Sequence, residues 1–185
     1  MNVDTRQSGK LVRLLRASAL LSHAAKIAAL ALLVANAAMW LVPEFAAEAV
    51  RSQAAIGKSP VTLTFGARAA ALVVSTAYVG LMALALWTVA SLFASFAAGA
   101  IFVPATGTRL RRLGVLLLLF ATLSPVFRAI VGVIVTLGNE GGQRILAFSI
   151  SSQDIIVALV AALLIALGHI MAEAARIADD NRQIV

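Results

Sequence analysis

Residues 114–137 read GVLLLLFATLSPVFRAIVGVIVTL, and they hold one charge, Arg128, and one proline, Pro125. A helix of about 20 apolar residues crosses a hydrocarbon core of roughly 30 Å, so a run this long is a membrane span. The same reading extends outward from it. Three further apolar blocks occupy 27–42, 69–96 and 155–175. The first is short, and reaches spanning length when extended back to about residue 20, with Lys26 snorkelling toward the headgroups. A cleaved signal peptide, with FAAEA as the cleavage site, is the rival reading of that block. The long basic segment before it, and Trp40 followed by Pro43 as an interfacial helix end, favour a span.

The composition agrees. Of 185 residues 62% are apolar and 12% charged, too little charge to cover a soluble domain of this size. The expected fold is therefore an all-α membrane protein, a four-transmembrane-helix bundle, with residues 1–185 as one integral domain and spans at about 20–42, 69–96, 114–137 and 155–175.

The net charge of +7 invites a nucleic-acid reading, but its distribution favours topology. Arg6, Lys10, Arg13, Arg16 and Lys26 precede or enter the first span. Arg109, Arg111 and Arg112 lie between the second and third, and Arg176 and Arg182 follow the fourth. Only Arg51, Lys58, Arg68 and Arg144 lie on the other side, which makes ten against four. By the positive-inside rule both termini and the middle loop are expected in the cytoplasm, with 43–67 and 138–153 outside. No nucleic-acid partner is expected.

The outer segments have a pattern of their own. VTLTFG, 61–66, and ILAFSISS, 145–152, alternate apolar and polar residues, which suits either two short strands in a small β-like cap or irregular loops. Ser151 or Ser152 is placed to cap the last helix, with Asp154 in its first turn. In the inner segment Gly99 and Pro104 should break the second helix. Thr106 or Thr108 can cap a new one bearing Arg109, Arg111 and Arg112. That basic loop serves as topogenic charge or as a lipid-headgroup contact.

Two stretches resemble a bacterial membrane family known as domain of unknown function 2975. In AGAIFVPATGTRLRRLGVLLLL, residues Gly99, Phe102, Pro104, Leu110, Arg111, Leu113 and Gly114 fit the family's inner link. In the C-terminal stretch, Phe148, Ser149, Ser151, Asp154, Glu173, Ala175, Asp180, Ile184 and Val185 fit its strand, acidic residue, last span and closing polar helix. The family's Glu-x-Phe-Thr-Pro stands here as Ala100 to Pro104 without the acid or the threonine. The likeness covers the C-terminal half; the N-terminal half matches in layout. It implies a four-span protein of the bacterial cytoplasmic membrane and no particular activity.

Few residues are equipped for chemistry. The chain has no cysteine, which removes thiolate catalysis and cysteine-ligated metals. His169 and Glu173 share a helix face, but a metal site needs a third ligand and His23 is the one other histidine. No phosphate loop, HExxH or GxSxG occurs. Neither a catalytic residue, a metal nor a cofactor is expected. Beyond the last span, Arg176–Asp180 and Asp179–Arg182 are spaced to pair on a solvated helix. The tail and the basic loop are candidate docking points for a protein partner. Small-residue rows, Ala158–Ala162–Ala166 and Ala31–Ala35, mark helix contacts within the bundle or between copies of the chain.

Arg128 lies about 21 Å from Gly114 and about 15 Å from Gly138 along a helix, well inside the bilayer. Left facing lipid it costs about 2.5–3.5 kcal/mol. Candidate partners are Asn36, Ser75, Thr76, Tyr78, the carbonyls freed by Pro125, and Asp154 at the outer rim. The arginine is then a structural clasp or a polar-solute site opening outward. The expected function is a non-enzymatic membrane signalling or partner-binding component; the alternative is a small transporter or channel component with its site around Arg128.

Overall fold

A computed structural model of the protein describes residues 3–51, 63–99, 104–137 and 148–182. Five helices follow one another: α1 (Val3–Leu41), α2 (Pro43–Arg51), α3 (Phe65–Ala97), α4 (Pro104–Thr136) and α5 (Ser152–Arg182). Four of them, all but α2, are long and apolar enough to cross a membrane, which is the architecture of a multi-pass membrane protein. At about 1.5 Å per residue, the 33-residue α3 and α4 are each about 50 Å long, so they tilt in, or project from, a core of roughly 30 Å.

Local chemistry sets the helix ends. Pro43 lacks an N–H and its ring opposes the carbonyl one turn back, so α1 stops at Leu41 while Pro43 serves as the first residue of α2. Thr64 caps α3, its hydroxyl accepting from the Ala67 N–H at 3.2 Å. The helix ends at Ala97, and Gly99 takes φ +79°, a left-handed turn that a side chain would resist. Pro104 opens α4. Thr106 and Thr108 therefore lie inside the helix and are not its caps, and Arg109, Arg111 and Arg112 ride its early turns instead of a separate loop or helix. At α5, Ser151 and Asp154 form a reciprocal cap. The Ser151 hydroxyl accepts from the Asp154 N–H at 3.3 Å, and the carboxylate accepts from the Ser151 N–H at 2.8 Å.

The long helices run antiparallel in sequence and pack in a row, α1 on α3, α3 on α4 and α4 on α5. Among the described residues α1 and α5 share no extensive interface, so the helices form an open layer rather than a closed ring. The start of α1, the end of α3, the start of α4 and the end of α5 lie at one end. At the other end the buried Trp40, Ala71, Val131 and Val135 of α1, α3 and α4 gather under α2, which contributes Ala46 and Val50. Part of the segment expected to form a β-like cap is thus helical. No strand occurs among the described residues: Phe65 and Gly66 belong to α3, and Phe148 to Ser151 are irregular. Val61, Thr62 and 145–147 lie outside the described residues.

The small-residue rows do not form the contacts within the bundle. Ala31, Ala35, Ala162 and Ala166 are exposed and Ala158 is half-buried. The close approach runs instead through Gly107 and Gly114 of α4 and Ala161 and Gly168 of α5. A Cβ on Gly107 would sit 2.7 Å from the Gly168 carbonyl, one on Gly114 2.7 Å from the Ala161 carbonyl, and one on Gly168 2.7 Å from the Arg111 nitrogen. Each clash is with backbone, which cannot swing aside. A Cβ on Gly80 of α3 would meet nothing within 4 Å.

This contrast yields a paired test. Gly114→Ala and Gly168→Ala should each lower the midpoint of thermal unfolding in detergent, by the equivalent of about 1–3 kcal/mol of overpacking. Gly80→Ala should leave it unchanged or raise it slightly, since alanine is the better helix former by up to about 1 kcal/mol. Equal effects at all three positions would contradict the seam.

Candidate functional site: the Arg128 cluster

Three helices bring the cluster together. Arg128 projects from α4 three residues after Pro125. One guanidinium nitrogen makes an ion pair with Asp154 in the first turn of α5 and donates to the Ser149 carbonyl at 2.8 Å. The pair is largely shielded, with 26% of the Arg128 side chain and 11% of the Asp154 side chain exposed. Arg128 Nε is buried without a partner. The buried Ser124 hydroxyl, one turn before Arg128, stands beside both the Asp154 carboxylate and the Tyr78 hydroxyl.

Tyr78 reaches in from α3. Its hydroxyl donates to the Phe120 carbonyl at 3.2 Å, and its ring lies between Phe120 and Phe127, with centroids 4.5 and 4.3 Å away. Phe120 and Phe127 are two turns apart on α4, so one tyrosine side chain fastens α3 along that length. Beside the cluster, Ala121, Thr122, Pro125, Phe148, Ile150, Asp154, Ile155 and Ala158 line a shallow, mostly apolar cleft of about 300 Å³.

Of the candidate residues, Arg128 and Asp154 meet directly, and Tyr78 lies nearby with its hydroxyl bonded to Phe120. Asn36 does not. It is buried on α1 and donates to the Thr76 hydroxyl at 3.0 Å, which makes it a link between α1 and α3. Ser75 donates within its own helix, to Leu72. The sequence reading missed Ser124 and the Ser149 carbonyl. Ser124 precedes a proline in a span, a signal for polar groups that relieve a break in the helix ladder. Nothing in the sequence marks a backbone carbonyl in an irregular segment.

The basic residues at the opposite end divide. Arg109 is half-buried and donates to the Ser95 hydroxyl of α3, whereas Arg111 and Arg112 are exposed. On α5 Arg176 pairs with Glu173, one turn earlier, at 2.6 Å. The side chains of Asp179, Asp180 and Arg182 lie outside the described residues. His169 Nδ1 is 2.9 Å from the Ile165 carbonyl, and no three metal-ligating side chains cluster among the described residues. No family model matches the chain, and no curated protein and no solved structure matches it.

The geometry assigns a measurable role to the ion pair. Arg128→Glu reverses the charge beside Asp154 and removes the donor to Ser149, so it should lower the unfolding midpoint clearly. Arg128→Leu should change it modestly, because the lost ion pair is offset by a lower insertion cost. In a double-mutant cycle, Arg128→Gln with Asp154→Asn should show a coupling of about 0.5–3 kcal/mol. An Arg128→Glu protein that melts with the parent would remove Arg128 from the framework.

Proposed function

We propose that this chain is a non-enzymatic component of the bacterial cytoplasmic membrane that acts by docking other membrane segments, with both termini in the cytoplasm. We assign it to the domain of unknown function 2975 on the residues already named. The observation that carries the docking reading is the open row of helices. A row encloses no interior, and α1 and α5 each offer a bare apolar flank to a neighbour. The transporter alternative needs a polar path through the layer. Arg128, its natural landmark, is occupied by Asp154 and Ser149, and Asn36 is committed to Thr76 on a different interface. The orientation is supported by the ten-to-four distribution of basic residues and by the end that the start of α1, the end of α3, the start of α4 and the end of α5 share.

The absence of cysteine makes site-directed chemistry clean. A reporter fused after Val185 should behave as cytoplasmic and a label at Ser52→Cys as external; a C-terminus reachable from outside would overturn the orientation. In native membranes, single cysteines at Ile27 on α1 and at Leu163 on α5, both exposed, should cross-link to protein of defined mass. Reconstituted vesicles should show no ion or solute flux. Flux that disappears in Arg128→Gln, without any cross-link, would reverse the choice between the two readings.

A further inference from the structure

The broad face of the α1–α3 pair carries a groove of about 470 Å³. Ala29, Leu30 and Leu33 of α1 form one wall, and Ala77, Gly80 and Leu84 of α3 form the other. Small residues make it. Gly80 is the informative one, since its missing side chain faces open space rather than a helix backbone. At one end of the groove Lys26 places its ammonium 5.9 Å from the centre of the Trp87 ring. Thr76 marks the far end, its hydroxyl turned to Asn36.

No carboxylate among the described side chains pairs with Lys26. Among the described residues Asp154 pairs with Arg128, and Glu173 with Arg176, while Glu44 and Glu48 belong to α2 at the opposite end of the layer. A lysine inside a span is tolerated where its head reaches the interface, and the Cα–Cβ bond of α1 leans toward the helix N-terminus, on the side of the chain termini. The exposed Trp87 ring lies at the level of the Lys26 head. The groove therefore joins an apolar trough to a cation that no described carboxylate pairs and to a flat aromatic ring.

We infer that the α1–α3 groove is a binding site for one anionic phospholipid, from the leaflet on the side of the chain termini. An acyl chain lies along Ala29, Ala77 and Gly80, and the phosphate rests on Lys26. Charge complementarity selects the occupant: a zwitterionic lipid brings its own cation to the phosphate and gains less from Lys26. Basic pockets between spanning helices recognise acidic headgroups in this way. The site depends on membrane embedding and is independent of the docking reading above.

Native mass spectrometry of the full chain, released from mild detergent with matched-chain phosphatidylglycerol and phosphatidylcholine, tests it. The parent protein should retain phosphatidylglycerol about five-fold better, the factor that roughly 1 kcal/mol per basic residue near a charged surface converts to. Lys26→Gln should bring the two lipids to parity and Lys26→Arg should restore the preference. Gly80→Leu, which fills the groove from open space, should reduce retention of both several-fold while the far-ultraviolet spectrum and elution volume stay those of the parent. Equal retention of the two lipids by the parent means ordinary lipid contact and overturns the proposal. So does Lys26→Gln that keeps the preference, Gly80→Leu that keeps the lipid, or a free fatty acid that displaces the phospholipid at equal concentration.

Discussion

Lipid tails are as apolar as leucine, so nothing in a bilayer pushes apolar helices together. Every contact in this protein has to be made by close approach or by polar groups, and the three interfaces of the row solve that differently. α1 and α3 are joined by hydrogen bonds, Ser22 to the Ala90 carbonyl at 2.8 Å and Asn36 to Thr76 at 3.0 Å. α3 and α4 are joined by the Tyr78 stack and its bond to Phe120. α4 and α5 are joined by backbone contact across Gly107, Gly114 and Gly168, with the Arg128–Asp154 pair at one end. Larger side chains at the glycines would weaken the α4–α5 contact, and an apolar one at Asn36 the α1–α3 contact.

The same physics explains what could be read from the chain. Helix positions follow from length and hydropathy because the bilayer fixes both. The Arg128–Asp154 contact was legible because two opposite charges in so apolar a chain have few other places to go. The Ser151 cap and the break at Gly99 follow from local geometry. The alanine rows do not mark the contacts within the row of helices, for a physical reason: alanine facing lipid costs nothing, so spacing alone does not say which small residues pack inside one chain. Glycine is different, because it exposes backbone, and the three glycines that meet backbone are the ones that mark the seam. At the α2 end the alternation in VTLTFG did not announce that Thr64 caps α3 with Phe65 and Gly66 in its first turn, and α2, only nine residues long, left no periodic signal.

An open row also separates two kinds of surface that a closed bundle would merge. Its flanks, α1 and α5, are continuous apolar edges suited to further helices. Its broad faces carry grooves where small residues thin the layer. The α1–α3 groove ends at Lys26 and Trp87, and the α3–α4 groove, lined by Tyr78, Leu123 and Phe127, has no charge at its mouth. The difference is chemical selection: two troughs of similar shape, of which one offers a cation to a headgroup.

The ion pair does more than cancel two charges. In many soluble proteins an apolar pair of the same volume would stabilise as well or better. Here the glycine seam repeats at seven residues on both helices, Gly107 to Gly114 on α4 and Ala161 to Gly168 on α5. Sliding one helix by two turns, to set Gly107 against Ala161 and Ile165, would keep one of the close contacts. Packing alone therefore leaves a second register open. Only one lets Arg128 reach Asp154 and the Ser149 carbonyl, and the other strands an unpaired guanidinium inside the bilayer. Because Asp154 also caps α5, the register is tied to the point where that helix starts. A buried polar pair fixing alignment at some cost in stability is its best-attested use, and it accounts for an arginine in the middle of an apolar run.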